Sequence, residues 1–163
     1  MALTIRSATP ADAPRIARHR AEMYRDMGVL PDALYAQLVD AARPYLEHAL
    51  AAGTYRGWLA HPSEQPEEVV SGVGLTLRPL MPRPGVRGDA TVILGGMEGL
   101  VVNVFTERAW RRKGVAKLLM EHLLEWTRAN QLARVVLHAS TDGRPLYEQL
   151  GFVQSNEMRY EGD

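Results

Sequence analysis

A mixed α/β domain is predicted for this chain from three observations. Helical periodicity dominates its first third, alternating strand-like runs fill the middle, and the last third reads strand, helix, strand. No internal repeat, low-complexity segment or linker divides the chain, so a single domain over 1–163 is expected.

Residues 3–8 (LTIRSA) alternate apolar and polar side chains, as a half-buried strand does. Thr9 is placed to cap the following helix and Pro10 to take its first position. That helix carries Ala13, Ile16, Ala17, Met23, Tyr24 and Met27 on a helical repeat, with Gly28 as its stop. A second helical region opens at Pro31 and Asp32, with Leu34, Leu38, Val39, Tyr45, Leu46 and Leu50 as its stripe. Pro44 should kink or split it, and Gly53 closes it. Residues 54–60 (TYRGWLA) and 68–77 (EVVSGVGLTL) read as antiparallel strands around a polar, proline-containing turn. Residues 78–90 hold three prolines and two glycines and are expected to form a long loop. Residues 99–106 (GLVVNVFT) are the next strand, and a helix is expected from Gly114 to Asn130 with Val115, Leu118, Leu119, Leu123 and Trp126 facing the core. The nearly continuous apolar run at 134–139 (RVVLHA) suits a strand buried on both faces. A short helix over RPLYEQL should stop at Gly151, and Phe152 should open a last strand.

The composition bounds the function. The chain has 163 residues, 46% of them apolar, enough for one ordinary core. Its 19 basic side chains are matched by 19 acidic ones, so overall charge gives no case for nucleic acid or an anionic membrane as partner. Cysteine is absent, which excludes disulfides, thiolate zinc sites and a cysteine nucleophile. The N-terminal stretch lacks an apolar leader, and no apolar run approaches the roughly 18 residues of a membrane span, so a cytoplasmic protein is expected.

One stretch conflicts with simple helix physics. In AWRRKGVAKLLM, Arg111, Arg112, Lys113 and Lys117 crowd positive charge around the start of a helix, where the unpaired N–H groups already favour acids. Either this is a solvated basic loop, or something anionic sits among the charges. Backbone N–H groups at such a strand–loop–helix junction can hold phosphate oxygens, and Gly114 permits close approach. The spacing is not that of a P-loop, and the one G-x-G, Gly72 and Gly74, lies inside a strand rather than opening a helix.

Arg111–Arg112–Lys113–Gly114–Val115–Ala116 fits R-x-x-G-x-A, and LYEQLGF follows after the apolar strand. These two motifs, at this spacing, resemble the GNAT N-acetyltransferase superfamily. The resemblance is specific from Gly99 to Phe152, and the order of elements extends it over nearly the whole chain. It implies a central, mostly antiparallel, twisted sheet of six to seven strands, splayed at the cofactor site and flanked by about four helices. It implies acetyl-CoA as co-substrate without a metal, and a small-molecule or peptide amine as acceptor; homodimers are common in the superfamily. The backbone of Val104, Phe105 and Thr106 would pair with the pantetheine arm. The N–H groups of Arg111, Arg112, Lys113, Gly114, Val115, Ala116 and Lys117 would hold the pyrophosphate, and Ser140 would contact the cofactor where many members carry Asn. Tyr147 falls on the tyrosine that protonates the departing thiolate, a role that a phenol of pKa about 10 can fill at neutral pH. Gly143 replaces an alanine of the pattern, and Pro145 is tolerable only in the first turn of its helix.

The general base stays open among three candidates. The superfamily's strand glutamate aligns with Leu100, and Glu98, two residues earlier on the same strand face, could substitute. His138 and a water are the alternatives. Asn103 either orients substrate or satisfies a bulge. His122 and Glu121 lack the spacing of a metal site. Beside the acyltransferase stands a second reading, a CoA-binding sensor or interaction module without turnover; nucleic-acid binding lacks the interleaved aromatics it would need.

Overall fold

The computed structural model describes residues 2–162. Its elements run β1 (Leu3–Ser7), α1 (Ala13–Asp26), α2 (Tyr35–Ala52), β2 (Tyr55–Pro62), β3 (Ser71–Arg87), β4 (Ala90–Thr106), α3 (Val115–Ala129), β5 (Arg134–Leu137) and α4 (Arg144–Gln149). The sheet has five strands in the order β1-β2-β3-β4-β5, antiparallel except for the parallel β4–β5 pair. Helices cover both faces. Trp58, Val73, Leu75 and Val101 pack on Val115, Leu119, Met120 and Leu123 of α3. On the other face, Tyr55, Leu59 and Val69 pack against Ala13, Ile16 and Ala17 of α1 and Leu46 and Ala49 of α2.

Three expectations are corrected. The sheet has five strands among the described residues, not six to seven. The segment after Gly151 forms no strand: it is polar, and Val153, Met158 and Tyr160 point their apolar surface into solvent, so it has no alternating face to bury. Residues 78–90 are not a loop. They continue β3 into a two-stranded ribbon with β4, in which Pro79 faces Met97, Pro84 faces Ile93 and Arg87 faces Ala90. Each strand of this ribbon keeps one free edge, where a proline costs no ladder hydrogen bond. Gly88 begins its two-residue turn at φ 60°, the glycine position of a II′ hairpin.

Two further details bear on sequence expectations. Pro44 lies inside α2, which runs through it as one helix; the residue is exposed, so water can satisfy the carbonyl that it orphans. Pro145 falls in the first turn of α4, where no N–H bond is lost. Among the described residues no helix is long and apolar enough to cross a membrane.

Candidate active site

β4 and β5 stay paired only from Glu98↔Arg134 to Val101↔Leu137. β4 then runs on to Thr106 while β5 ends, so the sheet splits and a strand edge is left open. The split coincides with a bulge. Asn103 adopts φ 56°, and the register between β3 and β4 slips beside it. A left-handed asparagine is costly unless its surroundings fix it. Here its Nδ2 donates to the Tyr55 hydroxyl at 3.0 Å, and its Oδ1 accepts from Arg20 at 2.7 Å. Tyr55 is buried, which pushes its phenol up to about 12, so it is a neutral fixture. The strand G-x-G has its explanation here: a Cβ on Gly74 would overlap the Tyr55 hydroxyl. Asn103 thus satisfies a bulge.

A groove of about 840 Å³ opens at the split. Its walls are residues 101–106 of β4, the end of β5 with His138, Ala139 and Ser140, the C-terminal half of α1, and Tyr147 of α4. The helical stripe of α1 therefore divides. Ala13, Ile16 and Ala17 are core, whereas Met23, Tyr24 and Met27 line the groove, and Met27 is 48% exposed. Sequence periodicity placed both halves on one helical repeat, and apolar spacing alone does not tell a packed face from a binding face.

Between β4 and α3 lies the basic loop. Arg112 takes φ 60° and Gly114 φ 80°, so the chain turns sharply into α3. No side chain caps α3, and the first intrahelical bond shown there runs from Leu118 N–H to the Gly114 carbonyl. The N–H groups of Val115, Ala116 and Lys117 are left pointing out of the helix end. Nothing lies within 4 Å of where a Gly114 Cβ would stand, so a ligand can approach the backbone. Part of the charge crowding is relieved internally. Asp26, at the end of α1, receives a hydrogen bond from Arg108 at 2.8 Å and another from Arg111, whose Nε also donates to the Thr106 carbonyl at 2.9 Å. Burial works to raise the Asp26 carboxyl, but the two guanidiniums hold it below the usual carboxylate range. Lys113 rests over the Trp110 ring, and Lys117 reaches Glu121 only at 3.9 Å.

Tyr147 is half-buried on α4, edge-on to Phe152, with the groove on one side. Burial raises its phenol above the ordinary tyrosine value. Gly143 is explained by this ring: a Cβ there would stand 2.9 Å from Tyr147 and 3.1 Å from the Ser140 hydroxyl. Ser140 reaches the groove, with its Oγ accepting the Gly143 N–H at 3.1 Å.

Glu98 is not brought to the groove. It is 2% exposed, held by Arg78 at 2.5 Å and by Arg134. A buried carboxylate needs such partners to offset its lost hydration. It also lies three residues, about 10 Å of strand, before the split. His138, by contrast, lines the groove. It lies one residue past the end of β5, with its side chain largely exposed. Its Nε2 lies 3.0 Å from Glu157, whose carboxyl is kept below its usual range chiefly by that hydrogen bond. Tyr147 packs with the α3-side cluster and lines the groove together with His138.

Fold and site together define a split-sheet α/β domain with an anion-receptive helix start at the split. Residues 93–163 match the family model of the acetyltransferase (GNAT) domain. Over that segment the chain is similar to GNAT acetyltransferase domains, and its fold resembles that of solved members over nearly its whole length. A GCN5-related N-acetyltransferase from Ralstonia eutropha is 26% identical with a TM-score of 0.82, the match covering 98% of each chain. A predicted acetyltransferase from Clostridium acetobutylicum, solved with acetyl-CoA, is 20% identical with a TM-score of 0.78, over 99% of this chain and 96% of its own. A ribosomal-protein-alanine N-acetyltransferase from Brucella melitensis is 22% identical with a TM-score of 0.67, over 99% of each chain. No curated protein matches the sequence.

Proposed function

We propose that this protein is an N-acetyltransferase that moves an acetyl group from acetyl-CoA to a primary amine by direct attack. The observation that carries the reading is the split between β4 and β5 beside an uncapped, glycine-started α3. That pair of features suits a long ligand with an amide-rich arm and a pyrophosphate. The open edge of β4 over Val104, Phe105 and Thr106 can pair with the arm, and the N–H groups from Arg111 to Lys117 can take the phosphates. The structure fits the co-substrate on one further count: Arg112 and Lys113 have no carboxylate partner among the described residues and are free to meet an anion.

Acetyl-CoA supplies the activated acyl group, and the chain's residues handle protons and position. His138, oriented by Glu157, takes a proton from the acceptor's ammonium, and the free amine then attacks the thioester carbonyl. Tyr147 gives its proton to the leaving sulfur from the α3 face. Glu98, tied by two arginines, serves as a structural ion-pair centre in this reading. The same tie favours the second reading, a CoA-binding module without turnover, since no strand glutamate faces the groove.

Titration calorimetry with acetyl-CoA and CoA, followed by thiol release against a pooled amine library, tests the proposal. Binding with turnover that falls in Tyr147→Phe is expected. Binding with no turnover on any pool would favour the silent module, and no binding would refute both readings.

A further inference from the structure

Arg20 stands out among the charged groups of the groove. It projects from α1, half-buried, and lines the groove beside the bulge. Its Nη1 donates to Asn103 at 2.7 Å, and its guanidinium lies 4.9 Å from the centre of the Tyr24 ring. Both partners are neutral, and no carboxylate among the described residues pairs with it. Its neighbours differ: Arg111 is joined to Asp26, and Arg18 to Glu107. A guanidinium carries five donors, and withdrawing it from water without an opposite charge is unfavourable. Asn103 and Tyr24 fix its plane, which leaves the remaining donors directed by the scaffold rather than by solvent. This is how a receptor for a planar or tetrahedral oxyanion is built.

We infer that Arg20 recognises an anionic group on the acceptor, so that the amine substrate also carries a carboxylate or a phosphate. The inference rests on the acetyltransferase reading and narrows it. Asp26, the acidic group of the groove nearest in sequence, does not oppose such a ligand, because Arg108 and Arg111 already neutralise it. Asp142 is exposed and well solvated, and Arg159 at the rim is exposed and already paired with Glu161 at 3.9 Å. An acceptor held on Arg20 would present its amine inside the groove that His138 also lines.

The test uses product-like ligands on the CoA-loaded protein, because they report on the anion site whichever amine is the natural acceptor. N-acetylglycine, N-acetyl-β-alanine, N-acetyl-γ-aminobutyrate and O-phospho-N-acetylethanolamine are titrated against wild type, Arg20→Met and Arg20→Lys, beside the neutral N-methyl-, N-ethyl- and N-propylacetamides. Affinity is read by calorimetry or by the arginine side-chain signals in NMR. At least one anionic ligand should bind wild type roughly tenfold or more tighter than its neutral counterpart, as expected for a charge-assisted bond. That preference should vanish in Arg20→Met and return in part in Arg20→Lys, while CoA affinity stays within about twofold. Whether a carboxylate or the phosphate wins names the source of the anion. If neutral amides bind as well as the anionic ligands, if none binds the CoA complex, or if Arg20→Met keeps the preference, the inference is overturned and the acetyltransferase reading stands. If CoA itself fails to bind, both fall.

Discussion

His19 offers a test of the physical reasoning at the wall of the site. It is 2% exposed on α1, stacked on Phe105 at 4.8 Å between ring centres, and its Nε2 has no hydrogen-bond partner. Glu107 lies 3.6 Å away, but Arg18 takes that carboxylate at 2.5 Å. Desolvation therefore dominates, helped by the charges of Arg18 and Arg15, and lowers the imidazole from 6.5 to about 3. The folded state thus holds His19 neutral while the unfolded chain takes up a proton below 6.5. The resulting stability is fully present above 6.5 and is lost as pH falls toward 3. At about pH 4.5, two units below the unfolded value, the loss is about 2.7 kcal/mol at 1.36 kcal/mol per unit, whatever the folded value is so long as it stays well below 4.5. That is a large share of the roughly 5–15 kcal/mol that holds a domain folded. Urea unfolding of wild type and His19→Gln at about pH 7.5 and about pH 4.5 isolates the term, because every other titratable group is common to both proteins. Wild type should lose about 2–3 kcal/mol more than the variant on acidification, a difference of about 1–2 M in relative urea midpoint. Equal pH dependence in the two proteins would refute the burial argument.

Three other outcomes are expected. Tyr147→Phe should lower kcat by roughly 10²–10⁴ with acetyl-CoA affinity nearly unchanged. Because burial raises the Tyr147 phenol, any alkaline decline of the wild-type rate that reports this acid should begin above the ordinary tyrosine value of 10.0. His138→Gln should depress kcat at neutral pH more than KM, and the deficit should shrink as pH rises and the acceptor amine deprotonates unaided; a uniform deficit across pH would remove His138 from the proton path. Asp26→Asn should tighten acetyl-CoA binding several-fold at low salt, since it frees Arg108 and Arg111 while the Nε bond to Thr106 still holds Arg111. Calorimetry at about 0.02 and 0.5 M salt should show that gain fading as screening sets in.

The parts of the fold that announce themselves in sequence are those whose local chemistry and tertiary role agree. Thr9 and Pro10 start the first helical turn, Gly53 ends α2 in the left-handed conformation, and the strand expected at residues 99–106 falls within β4. The misreadings share a physical cause. Prolines at 79, 82 and 84 suggest a loop only if every strand must be paired on both sides, and the ribbon of β3 and β4 is not. Glu98 shares a strand with the site, but no spacing rule reveals that Arg78 and Arg134 converge on it from two other strands. Arg20 and Asn103 are 83 residues apart, so their bond has no local signature. The α1 stripe was legible as apolar; that half of it faces a groove depends on where β5 stops.

The crowding of positive charge at the start of α3 can now be divided. Two cations, Arg108 and Arg111, are met by Asp26, which ties the end of α1 to the loop. Arg112, Lys113 and the uncapped N–H groups remain for an anion, and Arg112 holds a left-handed backbone that a solvated surface loop has no need to maintain. α1 thus carries the groove-facing Arg20 in its middle and, two turns on, the carboxylate that organises the loop. The same helix therefore shapes the wall on which an acceptor would lie and braces the cradle in which a pyrophosphate would sit.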